Sequence, residues 1–190
     1  MGRFYSNSSV SRFNIKRRLL FVAIGAIVFF AAYSAGAAVQ MTPEEAKEVR
    51  DSFSSQIEDI DDIGIFVNNV RIALGMFVPG LGIGLGVFSG YATGNVFAAL
   101  AQDSPALQGI PPQLILITPF GIMEVVTYGL AMSRSGMLIY YFVKKRPWRE
   151  YLVPTLIELG IAAAILLAAA GIEWWMIQEL GGQNLELEGF

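Results

Sequence analysis

The chain contains neither cysteine nor histidine among its 190 residues. This excludes disulfides, thiolate metal sites, cysteine nucleophiles and histidine general bases. Charge is also scarce, because charged residues make up 15% of the chain, compared with about 25% in an average soluble domain. An enzyme that works with carboxylates or hydroxyls remains compatible with this composition.

Apolar residues are abundant instead. They make up 54% of the chain, and the mean hydropathy is +0.53. These values indicate one integral membrane domain. We predict an all-α fold, a polytopic transmembrane helical bundle of about five crossings with an additional amphipathic helix on the outer side.

The amino-terminal part divides into a basic segment and a first apolar segment. Residues 1–18 contain five Lys or Arg and no acid, so we expect them to be cytoplasmic. Residues 19–39 are the predicted first transmembrane helix, long enough to span a bilayer. Ala35-Gly-Ala37 resembles a signal-peptide cleavage site, which is the alternative; we expect a retained anchor.

Residues 42–62 are predicted to form an extracytoplasmic amphipathic helix. Thr42 and Glu45 form a capping box at its start, and apolar residues recur at helical spacing after it. The acidic residues from Glu58 to Asp62 could bind Ca²⁺, but they lack the glycine and ligand spacing of an EF-hand. We favour an acidic, solvated edge that also caps the following helix.

The second and third predicted crossings form an antiparallel hairpin, 63–78 and 81–101, with a break at Pro79. In the third crossing small residues recur every fourth position, which is typical of close helix packing in lipid. These predicted packing residues are Gly82, Gly86, Gly90 and Gly94. The second crossing carries polar residues at a depth where they are costly and usually face a bundle interior. They are Asn68, Asn69 and Arg71.

The remaining crossings are 114–143 and 151–177, with a polar tail at 178–190. A break at Pro119 and Gly121 divides the first of them into a short apolar arm and a helix. Four charged residues lie within these two segments, and they are Glu124, Arg134, Glu158 and Glu173.

The basic residues predict the orientation. Of the 13 Lys and Arg, nine lie in residues 1–18 or 144–149, whereas the predicted outer segments contain only Lys47 and Arg50. Basic residues concentrate on the cytoplasmic side. We therefore predict a multi-pass protein of the cell membrane with its amino terminus inside and its carboxyl terminus outside.

Five motifs follow one another between residues 63 and 177: Phe66-Val-Asn-Asn-Val-Arg71, Thr93-Gly94, Thr118-Pro119-Phe120-Gly121-Ile-Met-Glu124, Ser133-Arg134-Ser-Gly136 and Ala170-Gly-Ile-Glu173. This ordered set resembles the stage II sporulation protein M family of integral membrane proteins. Phe120 stands where the family has histidine, and Thr118 where it has leucine. A role that needs the imidazole therefore does not transfer.

The resemblance implies a non-enzymatic membrane scaffold. The family's type member is implicated in envelope remodelling during sporulation, as a scaffold for peptidoglycan-degrading partners. Relatives in archaea lack that wall, so the scaffold role transfers better than the sporulation role. We expect a scaffold or accessory subunit of a membrane or envelope complex, with the lipid bilayer and a membrane-protein partner or second copy around it.

The alternative is a small-solute or proton-coupled permease subunit, because broken helices and intramembrane acids are features of transporters. An intramembrane hydrolase is disfavoured by the absence of histidine and of a paired catalytic aspartate motif. We predict no enzyme, no cofactor, no metal and no nucleic-acid partner. Arg71 and Glu124 have similar estimated depths, so we expect them to form an ion pair, and Arg134 and Glu158 likewise.

Overall fold

The computed structural model describes residues 15–57, 61–103 and 109–187. Every regular element in these ranges is helical, so the predicted all-α class is confirmed. In chain order the helices are α1 (Ile15–Ala37), α2 (Pro43–Ile57), α3 (Asp62–Met76), α4 (Gly82–Asp103), the 3₁₀ helix α5 (Pro112–Ile117), α6 (Pro119–Val143) and α7 (Arg149–Leu187).

Helix α6 is the centre of the bundle, because it contacts α1, α3, α4 and α7. Its buried positions include polar side chains as well as apolar ones. The main apolar core surrounds it and consists of Phe29, Ala73, Met76, Phe77, Tyr128, Ala131, Met132, Ala162 and Leu166. Four helices supply these residues, together with the turn that follows α3.

The contacts give the relative directions of the helices. Helix α1 runs parallel to α4, since Phe29 approaches Gly90 and Tyr33 approaches Gly94. It runs antiparallel to α6, since Arg18 contacts Ser133 and Phe29 packs against Tyr128. These directions agree with the alternation that the predicted topology requires.

Two short breaks separate helices where the sequence predicts a division at proline. Pro79 lies in the turn between α3 and α4, and Gly80 there has φ of +83°, a conformation that glycine adopts without a steric penalty. Thr118 precedes Pro119 and caps α6, accepting a hydrogen bond from the Gly121 amide at 3.1 Å. A Cβ at Gly121 would meet the Leu116 backbone, so the 3₁₀ arm packs against the first turn of α6.

Helix α2 lies against α4. At its start the Thr42 amide donates to Glu45 at 2.8 Å, and the Glu45 amide donates to the Thr42 hydroxyl at 3.3 Å, forming the capping box. These bonds from Thr42 lower the pKa of Glu45. On its inward face Ala46 is fully buried, and Arg50 donates to the Ala99 carbonyl at 3.0 Å.

The acidic edge contributes the cap of α3. Asp61 is the N-cap residue, and its side chain accepts from the Gly64 amide at 2.7 Å. A carboxylate at this position is favoured by the exposed amides and the helix dipole. Glu58 and Asp59 of the same acidic run lie outside the described residues.

Among the described residues, three helices are long and apolar enough to cross a membrane: α1, α4 over 82–102 and α7 over 149–179. Helix α3 has 15 residues, or about 22 Å, which is less than the roughly 30 Å of a hydrocarbon core. Helix α6 has 25 residues, among them the buried polar residues Thr127, Arg134 and Ser135, and is not one of these three. The prediction of five crossings requires α3 and α6 to span as well, and it stays a prediction.

The first and the last helix of the structure are longer than the sequence predicts. Helix α1 begins at Ile15, within the segment that the sequence predicts as a basic flank. Helix α7 continues to Leu187 through Gly181 and Gly182, where the sequence predicts a polar tail from residue 178. Each glycine costs about 1 kcal/mol in a helix. Adding residues to an existing helix requires no new nucleation, so α7 continues through Gly181 and Gly182 in spite of this cost.

Candidate functional site

A buried cluster of three charges lies between α1, α6 and α7. Arg18 donates from Nε and Nη2 to the two carboxylate oxygens of Glu158, both at 2.6 Å. Arg134 donates to the same two oxygens, from Nε at 2.7 Å and also from Nη2. The side chains are 6%, 1% and 9% exposed for Arg18, Arg134 and Glu158. Two guanidiniums on one carboxylate give the cluster a formal charge of +1.

Arg18 also binds the backbone and side chains of α6. Its Nη2 donates to the Leu130 carbonyl at 3.0 Å, and its Nη1 donates to the Ser133 hydroxyl at 2.7 Å. A further contact joins Nη1 to the Met137 sulfur at 3.5 Å. The planar guanidinium can satisfy several acceptors at once, and here it fastens α1 to α6 and α7.

The predicted ion pair between Arg134 and Glu158 is present in the structure. Arg18 was not predicted to join it, because residues 1–18 read as a solvated basic flank. The helical spacing of Arg18 relative to later residues of α1 would have indicated that its side chain is buried. Arg18, Gly25, Phe29 and Tyr33 are spaced by seven, four and four residues and all are buried, so they share one face of α1.

The predicted ion pair between Arg71 and Glu124 is wrong. Glu124 instead accepts a hydrogen bond from the Asn69 side-chain amide at 2.6 Å. Asn69 is buried, whereas Arg71 two residues later is exposed. Residues two apart on a helix point to different faces, so similar depth along the helix did not place Arg71 towards α6.

Glu124, Glu173 and Tyr128 lie within electrostatic range of one another. Glu124 and Glu173 are both partly buried. Glu124 lies five residues after the start of α6, or about 8 Å along the helix. A depth counted along a straight arm from residue 114 is about 15 Å, but the chain bends at Thr118.

One face of α3 is exposed and combines three large apolar residues with an asparagine and an arginine. Ile63, Val67 and Leu74 are 56%, 51% and 43% exposed. Arg71 and Asn68 are also exposed, and with them the five residues cover an arc of about 140° in which Arg71 lies near the middle. We call Ile63, Val67, Asn68, Arg71 and Leu74 the α3 face.

The structure places all four glycines of the predicted stripe against other helices. A Cβ at Gly82 would meet Ser135, and one at Gly86 would meet Met132. Gly90 lies against the Phe29 carbonyl and Gly94 against the backbone of α1 at Tyr33. At Gly84, which is off the stripe, an added Cβ would meet no atom within 4 Å.

Glycines outside the predicted stripe make comparable approaches. Gly25 of α1 and Gly129 of α6 meet where these helices cross, and a Cβ at Gly25 would lie 2.5 Å from the Gly129 carbonyl oxygen. Gly36 lies against the α4 backbone at Tyr91. These glycines do not recur at a regular spacing. The sequence therefore did not distinguish them from other small residues in apolar segments.

Comparison with protein families matches residues 19–175 to the model described as stage II sporulation protein M. A comparison with curated proteins and a comparison with solved structures each found no match. The matched region begins at the start of the apolar part of α1, and includes the charge cluster's Arg134 and Glu158 as well as the α3 face. Since the match covers more than half of its length, the chain belongs to the stage II sporulation protein M family.

Proposed function

We propose that this protein is a membrane scaffold or accessory subunit, and that the α3 face binds a membrane-protein partner. The observation that carries the proposal is the position of Arg71. Its side chain is exposed near the middle of a helix whose neighbouring exposed residues, Val67 and Leu74, are apolar. A partner helix with an acidic or amide side chain would hydrogen-bond to Arg71, and its apolar residues would pack against Val67 and Leu74.

The energetics favour a partner over lipid at this face. An arginine facing the hydrocarbon centre costs about 2.5–3.5 kcal/mol by insertion measurements, and less when its side chain reaches the interface. Hydrogen bonds between helices in membranes contribute about 0.6–2 kcal/mol each. Asn68 and Arg71 together offer several donors, so a partner recovers much of the cost of exposing them.

The rest of the bundle suits a structural role. The buried ion cluster and the close glycine contacts fasten α1 to α4, α6 and α7. We propose, as the resemblance to the family's type member implies, that the protein is not an enzyme. The basic turn at Lys144, Lys145 and Arg146, between α6 and α7, supports a cytoplasmic side there and therefore an internal amino terminus.

Cross-linking in native membranes tests the proposal directly. The chain has no cysteine, so Val67→Cys and Leu74→Cys each provide a single thiol for a photoactivatable maleimide. We expect adducts of defined mass at both positions. Leu156→Cys is the matched control, because Leu156 is 57% exposed on α7 and does not belong to the α3 face.

Arg71 variants test whether the charge is responsible. Arg71→Leu should reduce both the cross-link at Val67 and the recovery of the partner in mild detergent, whereas Arg71→Lys should retain part of each. Equal adducts at Val67 and Leu156 would contradict the proposal. So would unchanged recovery of the partner by Arg71→Leu. An adduct with the mass of two chains would assign the face to self-assembly and would contradict an accessory role.

One observation favours a proton-coupled permease subunit as the second candidate. Glu173 lies within electrostatic range of Glu124, and the hydrogen-bond partner of Glu124 is the neutral amide of Asn69. A carboxyl whose hydrogen-bond partner is neutral can exchange a proton more readily than a carboxylate held by arginine. This candidate predicts that Glu124→Gln folds normally and abolishes solute uptake in vesicles. Uptake that is unchanged in Glu124→Gln would eliminate it.

A further inference from the structure

A groove of about 560 Å³ lies between the amino-terminal half of α1 and the carboxyl-terminal half of α6. Ile83 of α4 contributes one side of it. Gly25, which meets the backbone of Gly129 where α1 crosses α6, lines the groove. Its volume is within the range of about 300–1,000 Å³ that is typical of ligand sites.

One end of the groove is cationic and rich in hydroxyls. Arg18 lies there with Ser133 and two tyrosines, and Arg17 lies over the Phe21 ring at 5.5 Å from its centroid. The charge cluster beneath it has a formal charge of +1, since Glu158 offsets only one of its two guanidiniums. An anion at this end would therefore meet a net positive field.

The guanidinium of Arg18 has a weak contact on the groove side. Its Nη1 points to the Met137 sulfur at 3.5 Å, and Met137 lines the groove. A thioether is a weak acceptor. A phosphate oxygen in its place would form a shorter, charge-assisted hydrogen bond.

The rest of the groove is apolar and faces outward. Ile24, Val28 and Met132 form its walls, and Ile24 is 47% exposed. Such a wall suits a hydrocarbon chain and admits it laterally from the bilayer. A free inorganic phosphate would leave this part of the groove unfilled.

We propose that the groove binds one anionic phospholipid, with its phosphate at Arg18 and one acyl chain along α1. Basic pockets between transmembrane helices on the cytoplasmic side suit anionic headgroups. In the predicted orientation this end of α1 is cytoplasmic. The site is separate from the α3 face, so it holds or fails independently of the proposed partner binding.

Binding to the delipidated full chain tests this proposal. Phosphatidylglycerol and phosphatidylcholine with identical chains are compared by native mass spectrometry and by thermal stability in detergent. Phosphatidylglycerol should bind about five- to tenfold more tightly, as expected for one or two nearby arginines. The preference should decrease at high salt. Inorganic phosphate alone should give no stabilisation.

Filling the groove gives the matched pair of variants. A Cβ at Gly136 would lie 3.6 Å from Ile83, an ordinary contact, so Gly136→Leu extends into the groove. This variant should lose binding of phosphatidylglycerol. Gly160→Leu is the control, because a Cβ at this exposed glycine of α7 meets no atom within 4 Å. It should bind phosphatidylglycerol as the unmodified protein does.

A charge variant provides a second, independent measurement. Met137→Glu places a carboxylate beside Arg18 and should abolish the preference for phosphatidylglycerol over phosphatidylcholine. Equal affinity for the two lipids in the unmodified protein would overturn the proposal. Unchanged preference in Met137→Glu would overturn it as well, as would equal stabilisation by inorganic phosphate. A change of oligomeric state in Gly136→Leu without any lipid effect would assign the groove to a second copy instead.

Discussion

Replacing Glu158 with leucine should be among the most destabilising single substitutions in the bundle. Glu158 receives four hydrogen bonds from two guanidiniums and is 9% exposed. Without it, Arg18 and Arg134 are left as two like charges in a largely apolar interior. Arg134→Leu, in contrast, leaves a neutral pair between Arg18 and Glu158.

The magnitudes follow from this difference. Removing one partner of a buried ion pair costs about 3–5 kcal/mol. Two cations about 5–8 Å apart add roughly 2–3 kcal/mol of repulsion at an effective dielectric constant of about 20. Glu158→Leu should therefore lose at least about 5 kcal/mol of unfolding free energy. Arg134→Leu should lose about 3 kcal/mol, the lower end for two charge-assisted hydrogen bonds, because the Arg18–Glu158 pair that remains is neutral.

The combined variant Arg18→Leu, Arg134→Leu and Glu158→Leu should recover most of the loss, because apolar replacement of a complete buried ion cluster is often nearly neutral. Urea unfolding in a nonionic detergent, followed by circular dichroism, measures all of these variants. Glu179→Leu is the control; Glu179 is exposed on the same helix and should change stability by less than about 0.5 kcal/mol. A loss in Arg134→Leu equal to or greater than that in Glu158→Leu would refute the reasoning, as would no recovery in the combined variant.

Three further predictions concern helix contacts and orientation. Gly94→Leu should prevent compact assembly, because the new side chain would collide with the α1 backbone. Gly84→Leu should remain monodisperse in size-exclusion chromatography, because a Cβ there meets no atom within 4 Å. Equal loss of monodispersity in the two variants would contradict a packing role for Gly94. A mutant cycle of Asn69→Leu with Glu124→Leu should show coupling of about 1.5–3 kcal/mol, and the cycle of Arg71→Leu with Glu124→Leu should show none; the reverse pattern would contradict the assigned partner. Reporter fusions test the orientation, which the basic residues predict. They should report outside at Asp51, Ser104 and Gln183 and inside at Lys145.

The helix breaks could be predicted from the sequence because they depend on local chemistry. Pro79-Gly80 cannot continue a helix, and Thr118-Pro119 combines an N-cap with a preferred first helical residue. The capping box at Thr42 and the cap at Asp61 are of the same kind. Each involves residues within three positions of one another, so the chain alone contains the necessary information.

The long-range pairing of charges was predictable only in part. The estimated depths in the antiparallel helices α6 and α7 correctly predicted that Arg134 contacts Glu158, which is 24 residues away. The same reasoning failed for Arg71 and Glu124, because depth does not give the rotation of a helix about its axis. That rotation depends on how all the neighbouring side chains pack, and here it turns Asn69 inward and Arg71 outward.

Composition, hydropathy and local motifs by themselves determined the helical membrane class, the family and most helix ends. Each of these properties depends on residue type or on neighbours close in the chain. The tertiary structure alone decided that Arg18 leaves the basic flank and joins Glu158, 140 residues away. It also decided that the groove opens beside this arginine and that Arg71 faces outward. These outcomes depend on where α1 crosses α6, a crossing that is set by the backbone approach of Gly25 to Gly129 and leaves no local pattern in the chain.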